Sequence, residues 1–135
     1  MEQTIKTVYI GDLRTEATHL RSGNKIITDA PTDNKGKGEY FSPTDLLAAS
    51  VGSCILTIMG IKASANGFNI DGATVNTWKI MSDNPRKVAE VKMEFDFSMC
   101  KLSDNEKIIL KKIVKISPVP LSLQDGTKQT ASLKF

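Results

Sequence analysis

The segment Ser42–Gly67, SPTDLLAASVGSCILTIMGIKASANG, most sharply limits what this chain can fold into. Ser42 can cap a helix, Pro43 suits its first position, and Asp45 completes a capping box of the Ser-x-x-Asp form. Asn66-Gly67 is a stop, because glycine enters the left-handed region at least cost. A helix from Pro43 to Asn66 would be roughly 35 Å long at ~1.5 Å per residue. Leu46, Leu47, Val51, Ile55, Leu56, Ile58, Met59 and Ile61 leave it apolar on nearly every side, so it belongs in a core or in a membrane. Ala48, Ala49, Ser50, Gly52 and Ser53 let other backbone approach closely. Cys54, in the middle, is the one reactive side chain.

Between Asp45 and Lys62 lie sixteen residues, five of them Ser, Thr or Gly. A membrane span needs about 20 apolar residues, so the segment reads as the centre of a soluble protein. MEQTIKTVYI reads as strand and not as a secretory signal, and the expected compartment is the cytoplasm.

Around this helix the chain reads as short strands. Gln3–Ile10, Leu13–Ser22 and Lys25–Asp29 are separated by Gly11-Asp12 and Ser22-Gly23-Asn24, which predicts an antiparallel meander. Ala30–Phe41 is a loop that delivers Glu39, Tyr40 and Phe41 to the helix. Ala73–Ser82 and Val88–Met99 flank a turn at Asp83–Arg86. In the second of these, Val91, Met93, Phe95, Phe97 and Met99 alternate with polar residues, predicting one buried face. Ser103 and Glu106 form a second capping box, opening a helix to about Lys115 that Pro118 and Pro120 end. Ala131, Leu133 and Phe135 alternate as a last strand. The order βββαββαβ in 135 residues predicts a single α+β domain, 1–135, with antiparallel sheet packed on the long central helix. A helix apolar all round needs more cover than these elements supply, and a second copy would provide it, so a homodimer is expected.

Several chemistries are excluded. The formal charge of +3 is small, with 18 basic and 15 acidic residues intermingled, so nucleic acid is not an expected partner. Lys101, Lys107, Lys111, Lys112 and Lys115 read as the wet face of a helix. His19 is the single histidine, in a polar strand, and no CxxC is present, which argues against a zinc site. The glycines of KGKGEY do not open a phosphate-binding helix. No cofactor is expected. Two cysteines, Cys54 and Cys100, make no disulfide framework.

A lone cysteine in an apolar helix is often only packing. The surrounding pattern adds to it. FSPTDLLAASVGSC, followed later by SPVPLSL, resembles the OsmC/Ohr family of osmotically inducible and organic hydroperoxide resistance proteins, and GDLRTEATHLRSGNKIITDAP resembles the family's amino-terminal strands. The resemblance implies an intertwined cytoplasmic homodimer with its reactive site at the subunit interface. It further implies reduction of organic hydroperoxides by a thiol. By residue, Cys54 matches the peroxidatic cysteine and Arg14 the arginine that holds its thiolate, with Arg21 the other candidate. A thiolate is the nucleophile, and a buried one needs a cation beside it. Arginine stays charged and offers a fork of donors.

Two positions depart from the family pattern. Ser117 stands where the family has its resolving cysteine, and a hydroxyl cannot form that disulfide. Thr44 stands where many members have a glutamate that orders the arginine, so Asp45 or Glu39 would have to replace it. Cys100 precedes the second helix, ~18 Å from position 117 by helix length, beyond the ~7 Å that a disulfide allows. Three readings follow: a peroxidase acting through Cys54 on a small hydrophobic peroxide with an external thiol as reductant, a binding protein that has lost turnover, or a structural protein in which Cys54 is packing.

Overall fold

Turn residues cut the amino-terminal segment into short strands. The computed structural model, which describes residues 1–135, places them as β1 (Ile5–Gly11), β2 (Arg14–His19) and β3 (Lys25–Asp29). They pair in the order β1-β2-β3, both pairs antiparallel, which is the expected meander. The β1–β2 turn takes three successive residues through positive φ: Gly11 (+92°), Asp12 (+55°) and Leu13 (+62°). Leucine rarely adopts that conformation, and here its backbone is held at both ends. Its N–H donates to the Tyr9 hydroxyl at 3.2 Å, and its carbonyl accepts from the Ala30 N–H at 3.1 Å. These elements belong to a first compact unit, Met1–Leu46; the second is Leu47–Phe135.

Helix α1 (Pro43–Ala65) starts as the sequence predicts. The Asp45 N–H donates to Ser42 Oγ at 3.1 Å and the Ser42 N–H donates to Asp45 Oδ2 at 2.9 Å, completing the capping box. By length and composition α1 could cross a membrane. Its packing is that of a core helix on one side: Ala48, Val51, Gly52, Ile55, Met59 and Ala63 are buried. The expectation of burial all round is not met within the single chain, because Ser53, Thr57, Ile61 and Ser64 form an exposed stripe. Hydropathy hides that stripe because its hydroxyls are small, and Thr57 Oγ1 donates to the Ser53 carbonyl of its own helix at 2.8 Å.

The second unit adds β4 (Thr74–Ser82), β5 (Lys87–Asp96), α2 (Asp104–Ile113), α3 (Pro118–Leu123) and β6 (Lys128–Lys134). The sheet order is β4-β5-β6, with β4–β5 antiparallel and β5–β6 parallel, so this sheet is mixed where the sequence suggested antiparallel pairing throughout. Such a crossover needs a long connection, and α2 and α3 supply it. A bulge in the β4–β5 pairing brings Val88 onto the same inner face as Val91, Met93 and Phe95. Val51, Ile55 and Met59 of α1 and Leu110 and Ile113 of α2 close the core.

Two departures from the sequence reading shape the second unit. The strand ends at Asp96, whose Oδ1 accepts the Ser98 N–H at 2.8 Å and turns the chain, so Met99 is exposed and does not continue the buried row. Pro118 and Pro120 do not merely end the second helix; Pro118 opens α3, since proline at a first helical position has no amide to lose.

Candidate functional site

In the first unit, cross-strand register builds a charged cluster. Arg14 and Asp29 are direct partners across β2 and β3. Arg14 Nη2 lies 3.3 Å from Asp29 Oδ2 and 3.1 Å from Glu39 Oε2, and its guanidinium carbon sits 5.0 Å from the centre of the Tyr40 ring. Asp29 has no exposed surface, and its Oδ2 also accepts the Glu39 N–H at 3.1 Å. Burial pushes the Asp29 carboxyl up, but the Glu39 amide and the Arg14 guanidinium outweigh it and hold it below the usual carboxylate range. The two carboxylates likewise raise Arg14 against the effect of burial. Thr44 Oγ1 lies 3.1 Å from Ser42 Oγ, and Asp45 is engaged in the α1 cap. Arg21 is exposed in the β2–β3 turn.

In the second unit, Cys54 is a free, half-buried thiol midway along α1. Helical spacing puts Ile58, Ile61 and Ala65 on its side of the helix. These three residues, with Lys62, Asn66 and Ile109, Lys112, Ile113 and Ile116 from α2 and beyond, line an apolar cleft of about 520 Å³. Ser117 is wholly buried between α2 and α3, and its Oγ donates to the Ile113 carbonyl at 3.0 Å. Cys100 is a second free thiol, with Sγ 3.7 Å from the Asp71 carbonyl oxygen. Burial pushes the Cys100 thiol up, and the carboxylates of Asp71 and Asp96 push the same way. No group of three or more His, Cys, Asp or Glu side chains stands together as a metal site.

Of the residues singled out from sequence, Arg14 and Glu39 are therefore brought together, and Cys54 and Ser117 occupy separate elements of the second unit. Asp29 and Tyr40 were missed. Asp29 was out of reach because the β2–β3 pairing is centred on Arg21-Ser22, one residue before the turn that the sequence suggests, and only that register sets Asp29 opposite Arg14.

Residues 36–132 match the profile of the OsmC-like protein family. A protein from Psychrobacter arcticus 273-4, described as an osmotic stress induced and detoxification response protein, is 46% identical, with 98% of this chain and 96% of that one covered and a TM-score of 0.92. The chain belongs to the OsmC-like family. Two more distant structures share the OsmC fold. One is an OsmC-like protein from Mycoplasma pneumoniae, 19% identical, with a TM-score of 0.76 over 99% of this chain and 96% of that one. The other is an organic hydroperoxide resistance protein from Legionella pneumophila, 15% identical, with a TM-score of 0.75 over 98% of each chain. No curated protein matches the chain at a significant level.

Proposed function

We propose that this OsmC-like protein reduces organic hydroperoxides through Cys54, with an external thiol as reductant, as a homodimer in the reducing cytoplasm. The observation that carries this reading is the position of Cys54. It is a free, accessible thiol in the middle of α1, on the side of the helix that runs into an apolar cleft. An alkyl hydroperoxide has the matching character, with a polar O–O–H group on a hydrocarbon body.

The Cys54 thiolate attacks the outer peroxide oxygen. An S–O bond forms, the O–O bond breaks, and the alkoxide leaves with a proton as an alcohol. Cys54 is then a sulfenic acid, oxidised by two electrons. Ser117 has no thiol with which to close a disulfide, so an external thiol attacks the sulfur and water leaves. A second thiol equivalent then releases Cys54 from the mixed disulfide. Arg14 is assigned the task of favouring the thiolate over the thiol, with Glu39 ordering it.

The dimer is supported by the apolar surface that each unit leaves uncovered. Val8, Tyr9, Ile10 and Ile26 of the first sheet are exposed, as is Ile61 of α1. Sedimentation at micromolar concentration should give a dimer, and a well-folded monomer would sink that part of the reading.

The test of the reaction is mass spectrometry of Cys54 after graded cumene hydroperoxide, alongside the consumption of peroxide with a dithiol present. Oxygen added at Cys54 and slow, thiol-dependent turnover are expected. A second reading is favoured by the cleft itself, which suits a bound apolar molecule with an anionic end near Lys62 and Lys112. If Cys54 stays unmodified and an apolar ligand copurifies, that binding role replaces catalysis.

A further inference from the structure

We infer that Asp29 is the residue that positions Arg14, supplying from β3 the carboxylate that related proteins place next to the helix-opening proline, where this chain has Thr44. The inference rests on the reading that Arg14 serves the Cys54 thiolate.

Asp29 is the hub of the Arg14 cluster. Its Oδ2 takes the Arg14 guanidinium at 3.3 Å and the Glu39 N–H at 3.1 Å, so one oxygen joins β2 to the loop leading into α1. Its own N–H donates to the Phe41 carbonyl at 3.1 Å, a second tie to the same loop. That loop carries both remaining partners of Arg14, the Glu39 carboxylate and the Tyr40 ring. Asp29 thus fixes Arg14 directly and also through the two residues that flank it. Glu39 is over half exposed and anchors nothing else by comparison, whereas Asp29 has no exposed surface.

The pairing geometry argues against a purely structural ion pair. Buried Arg–Asp pairs are commonly bidentate, with two parallel N–H···O bonds. Here only Nη2 engages, and Arg14 Nε and Asp29 Oδ1 are both buried without a hydrogen-bond partner. Buried polar atoms without a partner are few in native structures, so this cluster is not a fully satisfied ion pair. The guanidinium is oriented by the carboxylates without being consumed by them.

The sign of one substitution separates positioning from charge. Asp29→Asn removes a negative charge near Arg14. If Asp29 acted only through its charge, the local field would become more positive and Cys54 would alkylate faster. If Asp29 positions Arg14, the guanidinium loses its hold and alkylation slows.

The experiment measures iodoacetamide labelling of Cys54 in the full chain, resolved by peptide, across pH. Asp29→Asn should slow labelling at pH 7 by about tenfold, the effect of moving a thiol titration by one unit. Asp29→Glu, which keeps the negative charge but moves the carboxylate relative to Arg14, should also slow it, and decides the matter if Asp29→Asn does not fold. Combining Arg14→Ala with Asp29→Asn should be no slower than Arg14→Ala alone, because both act through one guanidinium. A folded Asp29→Asn protein labelled as fast as the parent, or faster, overturns the positioning role while Arg14→Ala still slows labelling. If Arg14→Ala itself has no effect, the assignment of Arg14 to Cys54 has failed instead.

Discussion

Gly52 of α1 packs directly against Val75 of β4: a Cβ added at Gly52 would stand 3.0 Å from Val75 Cγ1 and 3.4 Å from Cγ2. Gly60, two turns on in the same helix, has nothing within 4 Å of the corresponding position. Replacing a glycine by alanine inside a helix gains about 1 kcal/mol of backbone propensity. Overfilling a packed contact costs about 1–3 kcal/mol. Gly60→Ala should therefore raise Tm, by about 4 °C, while Gly52→Ala should be neutral or lower it. Thermal melts of the two variants check the order. A destabilising Gly60→Ala would show that this side of α1 is covered in the assembled protein.

The Asp29 carboxyl sets an acid limit on stability. Its folded pKa lies below the ordinary value, so near pH 4 the unfolded chain binds the proton more readily than the folded one. The stabilisation is present above the unfolded pKa of about 3.9 and is lost as pH falls through the folded one. Asp96 adds to the same limb, held down chiefly by hydrogen bonds from Ser98 and more weakly by Lys134. Tm should fall as the pH is lowered below about 4, and less steeply in Asp29→Asn. An unchanged slope in that variant would mean that Asp29 does not titrate below its unfolded value.

What the sequence made readable follows from how local each signal is. Both capping boxes, at Ser42/Asp45 and Ser103/Glu106, lie within four residues, and the structure has both. The meander was readable because glycine and asparagine mark its turns. The parallel β5–β6 pairing was not, since nothing in Lys128–Lys134 records which neighbour it meets or in which direction. The Pro118 helix was misread because proline ends one helix and begins another with equal ease. In the charged cluster, Arg14 and Glu39 stood out as charges, but Asp29 gained meaning only from a cross-strand register.

Cys100 should be the slower of the two thiols. Burial and the nearby Asp71 and Asp96 carboxylates keep it protonated above the usual thiol range. Iodoacetamide at about pH 8 should label Cys54 first, because only the thiolate reacts. Met99, next to Cys100 and 82% exposed, provides an internal gauge of oxidant. At peroxide doses that convert Met99 to its sulfoxide, Cys100 should still be a thiol. Labelling of Cys100 ahead of Cys54 would contradict this ranking.

On the proposed peroxidase reading, position 117 governs the fate of an oxidised Cys54. The Ser117 side chain has no exposed surface and donates to the Ile113 carbonyl at 3.0 Å, so it is satisfied where it stands. A hydroxyl cannot condense with a sulfenic acid to a disulfide, and Cys100 lies beyond the far end of α2, a helix of ten residues and ~15 Å. With serine at position 117, peroxide should therefore carry Cys54 to sulfenic acid and then, in excess, to sulfinic acid, with no Cys54–Cys100 link. Ser117→Cys replaces one small buried group with another and loses one hydroxyl hydrogen bond, at a cost of about 1 kcal/mol. That variant should gain a disulfide from Cys54 to the introduced thiol and show less over-oxidation at equal peroxide. Peptide mapping without reductant reads both outcomes. A Cys54–Cys100 disulfide in the parent protein would show that α2 does not keep those thiols apart. A Cys54 left unmodified at doses that oxidise Met99 would remove the peroxidase reading altogether.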